Sequence, residues 1–144
     1  DLPVTTFRYF TFCVMAAITG EDPKELERIA KEYLKSNGYR IIKTNFKNAI
    51  GEIDIIAENN ERILFVEVKT RSENRIIEPY EFVDPIKQNK LFVTANIYLK
   101  NNGIDLQPRF DVASVIKDKD GKMHIKYFKN AFGADSFENF RSSL

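Results

Sequence analysis

The sequence predicts an α/β sandwich with the element order α-β-β-β-α-β-β. Two Asp-Pro pairs, at 22–23 and 84–85, each head a segment with apolar residues at helical spacing. Three apolar, β-branched segments lie between those helices and two follow the second, all bounded by turn residues. No repeat, low-complexity run or interdomain linker breaks the order. At 144 residues, 43% hydrophobic and 12% aromatic, the chain suffices for one domain with a real core and is short for two.

Residues 1–20 do not share this pattern. The apolar stretch from Tyr9 to Ile18 is too short to span a bilayer as a helix. Arg8 ahead of it, with Ala16 and Ala17 at its end, gives a weak likeness to a secretory signal. The chain begins without Met, and Met15 lies just before the first well-formed helix, so residues 1–14 are expected to be a gene-start artefact. The divisions are an N-terminal extension over 1–20, one domain over 21–136 and a C-terminal tail over 137–144.

From residue 22 each element has its own cause. Asp22 is an N-cap, Pro23 fits N1 and Glu25 at N3 completes a capping-box pattern. Leu26, Ile29, Ala30, Tyr33 and Leu34 form the apolar stripe, and Gly38 stops the helix. YRIIKTNF (39–46) reads as a strand; GEIDIIA and ERILFVEVKT read as two more, joined through Asn59-Asn60. Asp84-Pro85 repeats the cap before a helix over 85–101, closed by Gly103. RFDVASVI (109–116) and KMHIKYF (122–128) form the last strand pair around Asp120-Gly121.

Composition narrows the function classes. With 22 Lys+Arg against 21 Asp+Glu the chain is no histone-like polyelectrolyte, although a local basic face suffices for nucleic acid. Cys13 is the one cysteine, which excludes a disulfide framework and a cysteine-based zinc cluster. His124 is the one histidine, which argues against a His-rich metal site or a Ser-His-Asp triad. The expectation is a reduced, cytoplasmic protein with no membrane partner.

The stretch GEIDIIAENNERILFVEVKTR (51–71) carries charges inside apolar strands. With an even-length loop centred on Asn59-Asn60, residue 56 faces 63, 54 faces 65 and 52 faces 67. Glu52, Asp54, Glu67 and Lys69 then project from one face, with Asp54 diagonal to Glu67. Two carboxylates so placed repel unless a cation lies between them. Mg²⁺ suits such a site: it takes oxygen ligands, commonly one or two carboxylates, and keeps several waters. Asp54 and Glu67 would supply the carboxylates and Val68 a backbone carbonyl. Lys69 can orient water or stabilise charge on a phosphate, which together is the chemistry of phosphodiester hydrolysis. The alternative is an ordinary ion pair of Glu67 and Lys69 on an edge strand, with Asp54 near its solvated end.

At GEIDII…FVEVKTR the chain resembles the YraN-type endonuclease-like family of the PD-(D/E)XK nuclease superfamily, related to archaeal Holliday-junction resolvases. ELERIAKEYLKSNGY matches the family's first helix, KQNKLFVTANIYL its second, RFDV its late strand and NAF at 130–132 its closing block, in the family's order. The resemblance implies a restriction-endonuclease-like core over 21–136, with αβββαβ order and a central mixed sheet flanked by helices. It implies Asp54 and Glu67 as catalytic metal ligands for Mg²⁺ or Mn²⁺, and Lys69 as the catalytic cation. Glu27 matches the first-helix acid that assists metal binding. Gln88 joins the catalytic set, while Lys87 and Lys90 face nucleic acid from the same helix. Glu52 is a candidate support for the site, and Arg109 with Asp111 reads as a structural pair.

The segment RSENRIIEPYEFVD (71–84) departs from the family, which usually carries Phe-Gly there; it is either a nucleic-acid contact, with Arg71 and Arg75 on phosphates and Tyr80 stacked on a base, or a solvated loop. The hairpin 117–130, with five Lys against two Asp, is either a backbone-binding ledge or a solvated hairpin. The expected function is a metal-dependent DNA endonuclease acting on branched or single-stranded DNA, as a homodimer if it cuts two strands symmetrically. The alternative is a non-catalytic nucleic-acid-binding or partner-binding module with the same fold.

Overall fold

Each helix begins at its Asp-Pro pair. The computed structural model describes residues 8–12, 22–72, 84–131 and 133. Helix α1 spans Pro23–Ser36 and α2 spans Pro85–Asn101. The Asp22 carboxylate accepts the Lys24 amide at 3.1 Å, and the Asp84 carboxylate accepts the Lys87 amide at 2.9 Å. Glu25 does not close the expected capping box. Its carboxylate binds Arg28, which also holds Glu32 at 2.6 Å, because a guanidinium one turn away is a stronger partner than the cap amide. Gly38 (φ 87°) and Gly103 (φ 59°) end the helices in the left-handed region, where a Cβ is penalised. Asp22→Ala is expected to cost about 1 kcal/mol, read as a lower urea midpoint with unchanged slope.

The strands are β1 (Arg8–Phe12), β2 (Arg40–Lys47), β3 (Glu52–Glu58), β4 (Arg62–Ser72), β5 (Gln107–Lys117) and β6 (Met123–Phe128). They form one sheet in the order β1-β6-β5-β4-β3-β2. β4 and β5 run parallel, joined through α2, and every other pairing is antiparallel, which gives the expected mixed sheet. The αβββαββ order holds, and β1 adds an edge strand beside β6 that the sequence pattern did not announce.

A helix covers each face. Ile29, Ala30, Tyr33 and Leu34 of α1 pack with Ile55, Leu64, Val66 and Val115. Leu91, Phe92, Ala95 and Leu99 of α2 pack with Ile63, Phe65, Phe110 and Val112. The alternation of Ile63 and Phe65 with Leu64 and Val66 splits β4 between the two layers, so both of its faces are buried. Among the described residues no helix is long and apolar enough to cross a membrane.

The β3–β4 register differs from the expected one. Glu58 faces Ile63, Ile56 faces Phe65 and Ile55 faces Val66. The turn is wider because the Asn59 side chain accepts the Glu61 and Arg62 amides at 2.9 and 2.8 Å, while its own amide donates to the Arg62 carbonyl at 3.0 Å. The loop stays even in length, so the face parity survives, but continuing the register brings Asp54 level with Glu67 rather than diagonal to it.

Candidate functional site

The β3–β4 ladder stops at Ile55 and Val66. Just beyond it the Asp54 carboxylate takes the place of backbone: its Oδ2 accepts the Val68 amide at 2.8 Å. An extended residue turns its N–H and C=O toward the same neighbouring strand, so the Val68 carbonyl turns to that side too. On β2, Asn45 sits at φ 51° between the Thr44–Ile55 and Phe46–Ile53 pairs, and its side chain donates to Glu27 at 2.7 Å. Asparagine tolerates this conformation, so the kink falls where β2 passes Asp54. Glu27, Asn45, Asp54 and Val68, with Leu26, line a cleft of about 110 Å³.

Glu67 lies at the same strand end, level with Asp54 in the continued register. The alternation that sends Ile63 and Phe65 to the α2 layer also sends Glu67 there, and the first turn of α2 delivers Lys87 to it. Lys87 Nζ donates to Glu67 Oε1 at 2.8 Å, and Lys69 Nζ stands 3.3 Å from the same oxygen. The Glu67 side chain is only 9% exposed and β4 is interior, flanked by β3 and β5. The ion pair of the alternative reading therefore exists, but not on a solvated edge strand. Glu67 and Lys69 face α2, and Asp54, at the splayed end of the ladder, feels the charges of Glu67 and Lys87 while also lining the cleft beside α1. Glu52 does not oppose Glu67; it faces Lys47 across β2, 3.5 Å away and largely exposed.

The electrostatics follow from this crowding. Burial, reinforced by the Glu67 charge, pushes the Asp54 carboxyl up to about 6 despite the Val68 amide bond. Burial lowers the Lys69 pKa; the Glu67 charge opposes the shift and nearby Lys87 reinforces it. Burial also works against the Lys87 ammonium, but its bond to Glu67 outweighs that and raises its pKa. A carboxyl held at about 6 beside a second carboxylate is short of positive charge. Both lysines engage Oε1 of Glu67 and the amide engages Oδ2 of Asp54, so Oε2 and Oδ1 lie outside these contacts. Two carboxylates and a strand carbonyl form an oxygen donor set that fits a hard divalent cation with water completing its shell.

The remaining candidates fall unevenly around this centre. Glu27 lines the Asp54 cleft, but its carboxylate is bonded to Asn45 and lies 3.5 Å from Lys31. Among the described residues no three His, Cys, Asp or Glu side chains gather to hold a metal. Gln88 is half-buried in the first turn of α2, next to Lys87. Lys90 is exposed one turn on from Ile86. Arg71 is described only as backbone in β4; Arg75, Tyr80, Phe132 and the 137–144 tail lie outside the described residues. Arg109 and Asp111 form the expected structural pair, with three contacts between 2.9 and 3.2 Å. The 117–130 hairpin is tied at its turn by Asp118 and His124, 2.8 Å apart.

The apolar face of α2 aims Lys87 and Gln88 toward the sheet and the site, besides the expected role of Lys87 on nucleic acid; the structure adds a specific partner for Lys87, Glu67, which spacing alone does not name. Asn45 was missed altogether, and spacing alone held no sign of it.

Comparison with known proteins adds a family to this geometry. The profile of the uncharacterised protein family UPF0102 matches residues 26–115. A UPF0102 protein of Alkaliphilus metalliredigens is 47% identical over 107 residues, covering 74% of this chain and 92% of that protein. One from Persephonella marina is 42% identical over 113 residues (78% and 93%), and one from Symbiobacterium thermophilum 42% over 109 residues (75% and 92%).

Proposed function

The chain belongs to the uncharacterised protein family UPF0102, the YraN-type family its motifs resemble, and from that premise we propose that it is a Mg²⁺- or Mn²⁺-dependent DNA endonuclease of the cytoplasm. The observation that carries this reading is the pairing of Asp54, held at about 6 by burial and by Glu67, with a carboxylate already attended by two lysines. Such a pair is costly to maintain in a fold that uses it only for support.

Asp54, Glu67 and the Val68 carbonyl would hold the ion, with Glu27 across the cleft from Asp54. The bound ion supplies a Lewis acid for a phosphoryl oxygen and lowers the pKa of a bound water. The chain's own groups do the rest. Lys69 hydrogen-bonds the attacking water or a non-bridging phosphate oxygen, fixed by its contact with Glu67. Lys87, at the head of α2, stands where a phosphate drawn to the site would meet its second cation. Val68 holds Asp54 in one orientation through its amide.

A second reading, a binding module without turnover, has one observation in its favour: Lys69 and Lys87 already neutralise Glu67 without any metal. Cleavage of linear, flap and four-way-junction DNA with Mg²⁺ or Mn²⁺ separates the two. The wild type is expected to cut and Lys69→Ala to cut at least about 100-fold more slowly. Equal rates in both proteins would mean the wrong site; binding without cleavage by the wild type would select the module. A homodimer in sedimentation is expected if two strands are cut symmetrically.

A further inference from the structure

A second concavity opens beside Lys87, on the side away from Asp54's cleft. It has a volume of about 420 Å³ and lies between the β2–β3 turn and the first turns of α2. Its walls include Ile50, 44% exposed, and Ile86, 73% exposed; with Ile42 these are the exposed large hydrophobics among the described residues. Buried Leu91 also lines it. Two isoleucines left in water on one small cleft call for an occupant.

Neither isoleucine sits on loose backbone. The Asn48 side chain accepts the Ile50 and Gly51 amides at 2.9 and 3.0 Å, and the Asn48 amide donates to the Gly51 carbonyl at 3.0 Å. Gly51 lets this turn lie directly on α2: a Cβ there would stand 3.1 Å from Thr94 Oγ1. Ile86 follows Pro85 in the turn capped by Asp84. The cleft is therefore formed before anything enters it.

Its polar groups narrow the occupant. Lys87 and Lys90 supply cations, and Lys87 also contacts Glu67, so the cleft continues into the site described above. Of its carboxylates, Asp84 is engaged as the helix cap, while Glu52 is exposed and weakly held by Lys47 at 3.5 Å. Aliphatic walls suit the faces of a flat ring. Paired cations suit the phosphates on either side of it, and an exposed carboxylate accepts the exocyclic amine of cytosine or adenine.

We propose that this cleft receives one unstacked nucleobase of a DNA strand whose phosphates lie on Lys87 and Lys90, so that the protein selects unpaired DNA beside the scissile bond. The proposal rests on the nuclease reading and names its substrate. A base in a duplex must first leave its stack, a cost that a single strand or a branch point does not incur.

The test is fluorescence anisotropy, without metal, of a labelled single-stranded oligonucleotide and of the same strand made abasic throughout. Wild type is expected to prefer the intact strand, and Ile86→Ser to lose on the order of tenfold in affinity for it, removing most of that preference. Ile86 is exposed, so folding does not depend on it. Equal wild-type affinity for intact and abasic strands, or no effect of Ile86→Ser, overturns the proposal. If metal-dependent cleavage of duplex DNA persists beside such a result, only the cleft assignment fails. Base-dependent binding without cleavage keeps the cleft and overturns the nuclease reading.

Discussion

Asp54→Asn is expected to stop metal-dependent cleavage and, in the same protein, to stabilise the fold at neutral pH. The loss of activity follows from removing one of the two carboxylates that would hold the ion, and should reach 10²–10³-fold or more, on the order of removing a principal electrostatic group from an active site. The gain in stability follows from proton linkage. The Asp54 carboxyl titrates at about 6 in the fold, against 3.8 ordinarily. Between those values the folded state binds more protons than the unfolded one, so stability falls as pH rises through the window. Above it the penalty is complete, roughly 3 kcal/mol at about 1.4 kcal/mol per pKa unit. Asparagine has no charge to desolvate and its carbonyl can still accept the Val68 amide. Urea denaturation should therefore find the variant more stable than wild type by about 1–3 kcal/mol at pH 7.5 and little different near pH 4. Mn²⁺ should raise the wild-type melting temperature and leave the variant's unchanged. A variant that cuts DNA at the wild-type rate, or whose stability difference ignores pH, would remove Asp54 from the site.

Opposite signs for activity and stability distinguish this carboxylate from an ordinary structural one. A carboxylate retained for support loses stability on neutralisation, because its partners are left without charge. Asp54 is buried beside two like-charged neighbours, Glu67 and Glu52, and against these stand the Val68 amide and the Lys87 charge. The balance favours the neutral side chain.

Much of the fold was legible because its signals are local. Asp22-Pro23 and Asp84-Pro85 place both helix starts, since a cap and a fixed φ act within one turn. The alternation in ILFV divides β4 between two layers, as a strand buried on both faces requires. Asp54, Glu67 and Lys69 stand out because charge interrupts apolar runs. The misses depend on distance and competition. The β3–β4 register hangs on the Asn59 side chain taking two amides, a choice that the pair Asn59-Asn60 leaves open. Glu25 leaves its cap for Arg28 because two side-chain partners compete within one turn. The kink at Asn45 arises where three elements meet, and no periodicity encodes it.

Asp111→Ala should produce the largest loss of stability in the described structure. Asp111 is fully buried, and its carboxylate accepts Arg109 through Nε and the terminal nitrogen, the Tyr127 hydroxyl at 2.6 Å and the Asn130 amide at 2.8 Å. These contacts tie β5 to β6 and to the chain beyond it. Burial and the Asp111 charge together push the Tyr127 hydroxyl well above the usual tyrosine range. Removing the carboxylate leaves the Arg109 guanidinium, whose side chain is only 12% exposed, without its counter-charge. The Tyr127 hydroxyl and the Asn130 amide lose their acceptor at the same time. Breaking a buried pair from one side costs about 3–5 kcal/mol, a large share of the roughly 5–15 kcal/mol that holds a domain together. Differential scanning calorimetry should show a fall of about 10 °C or more. Asp111→Asn keeps one acceptor oxygen but turns an amide donor toward the remaining donors, so it should recover only part of the loss. Asp111 faces Val66 across the β4–β5 pairing, one residue from Glu67, so its effect on cleavage should come through unfolding alone. Activity per folded molecule, measured well below the lowered melting temperature, should stay near wild type; a loss there with the fold intact would make Asp111 part of the site.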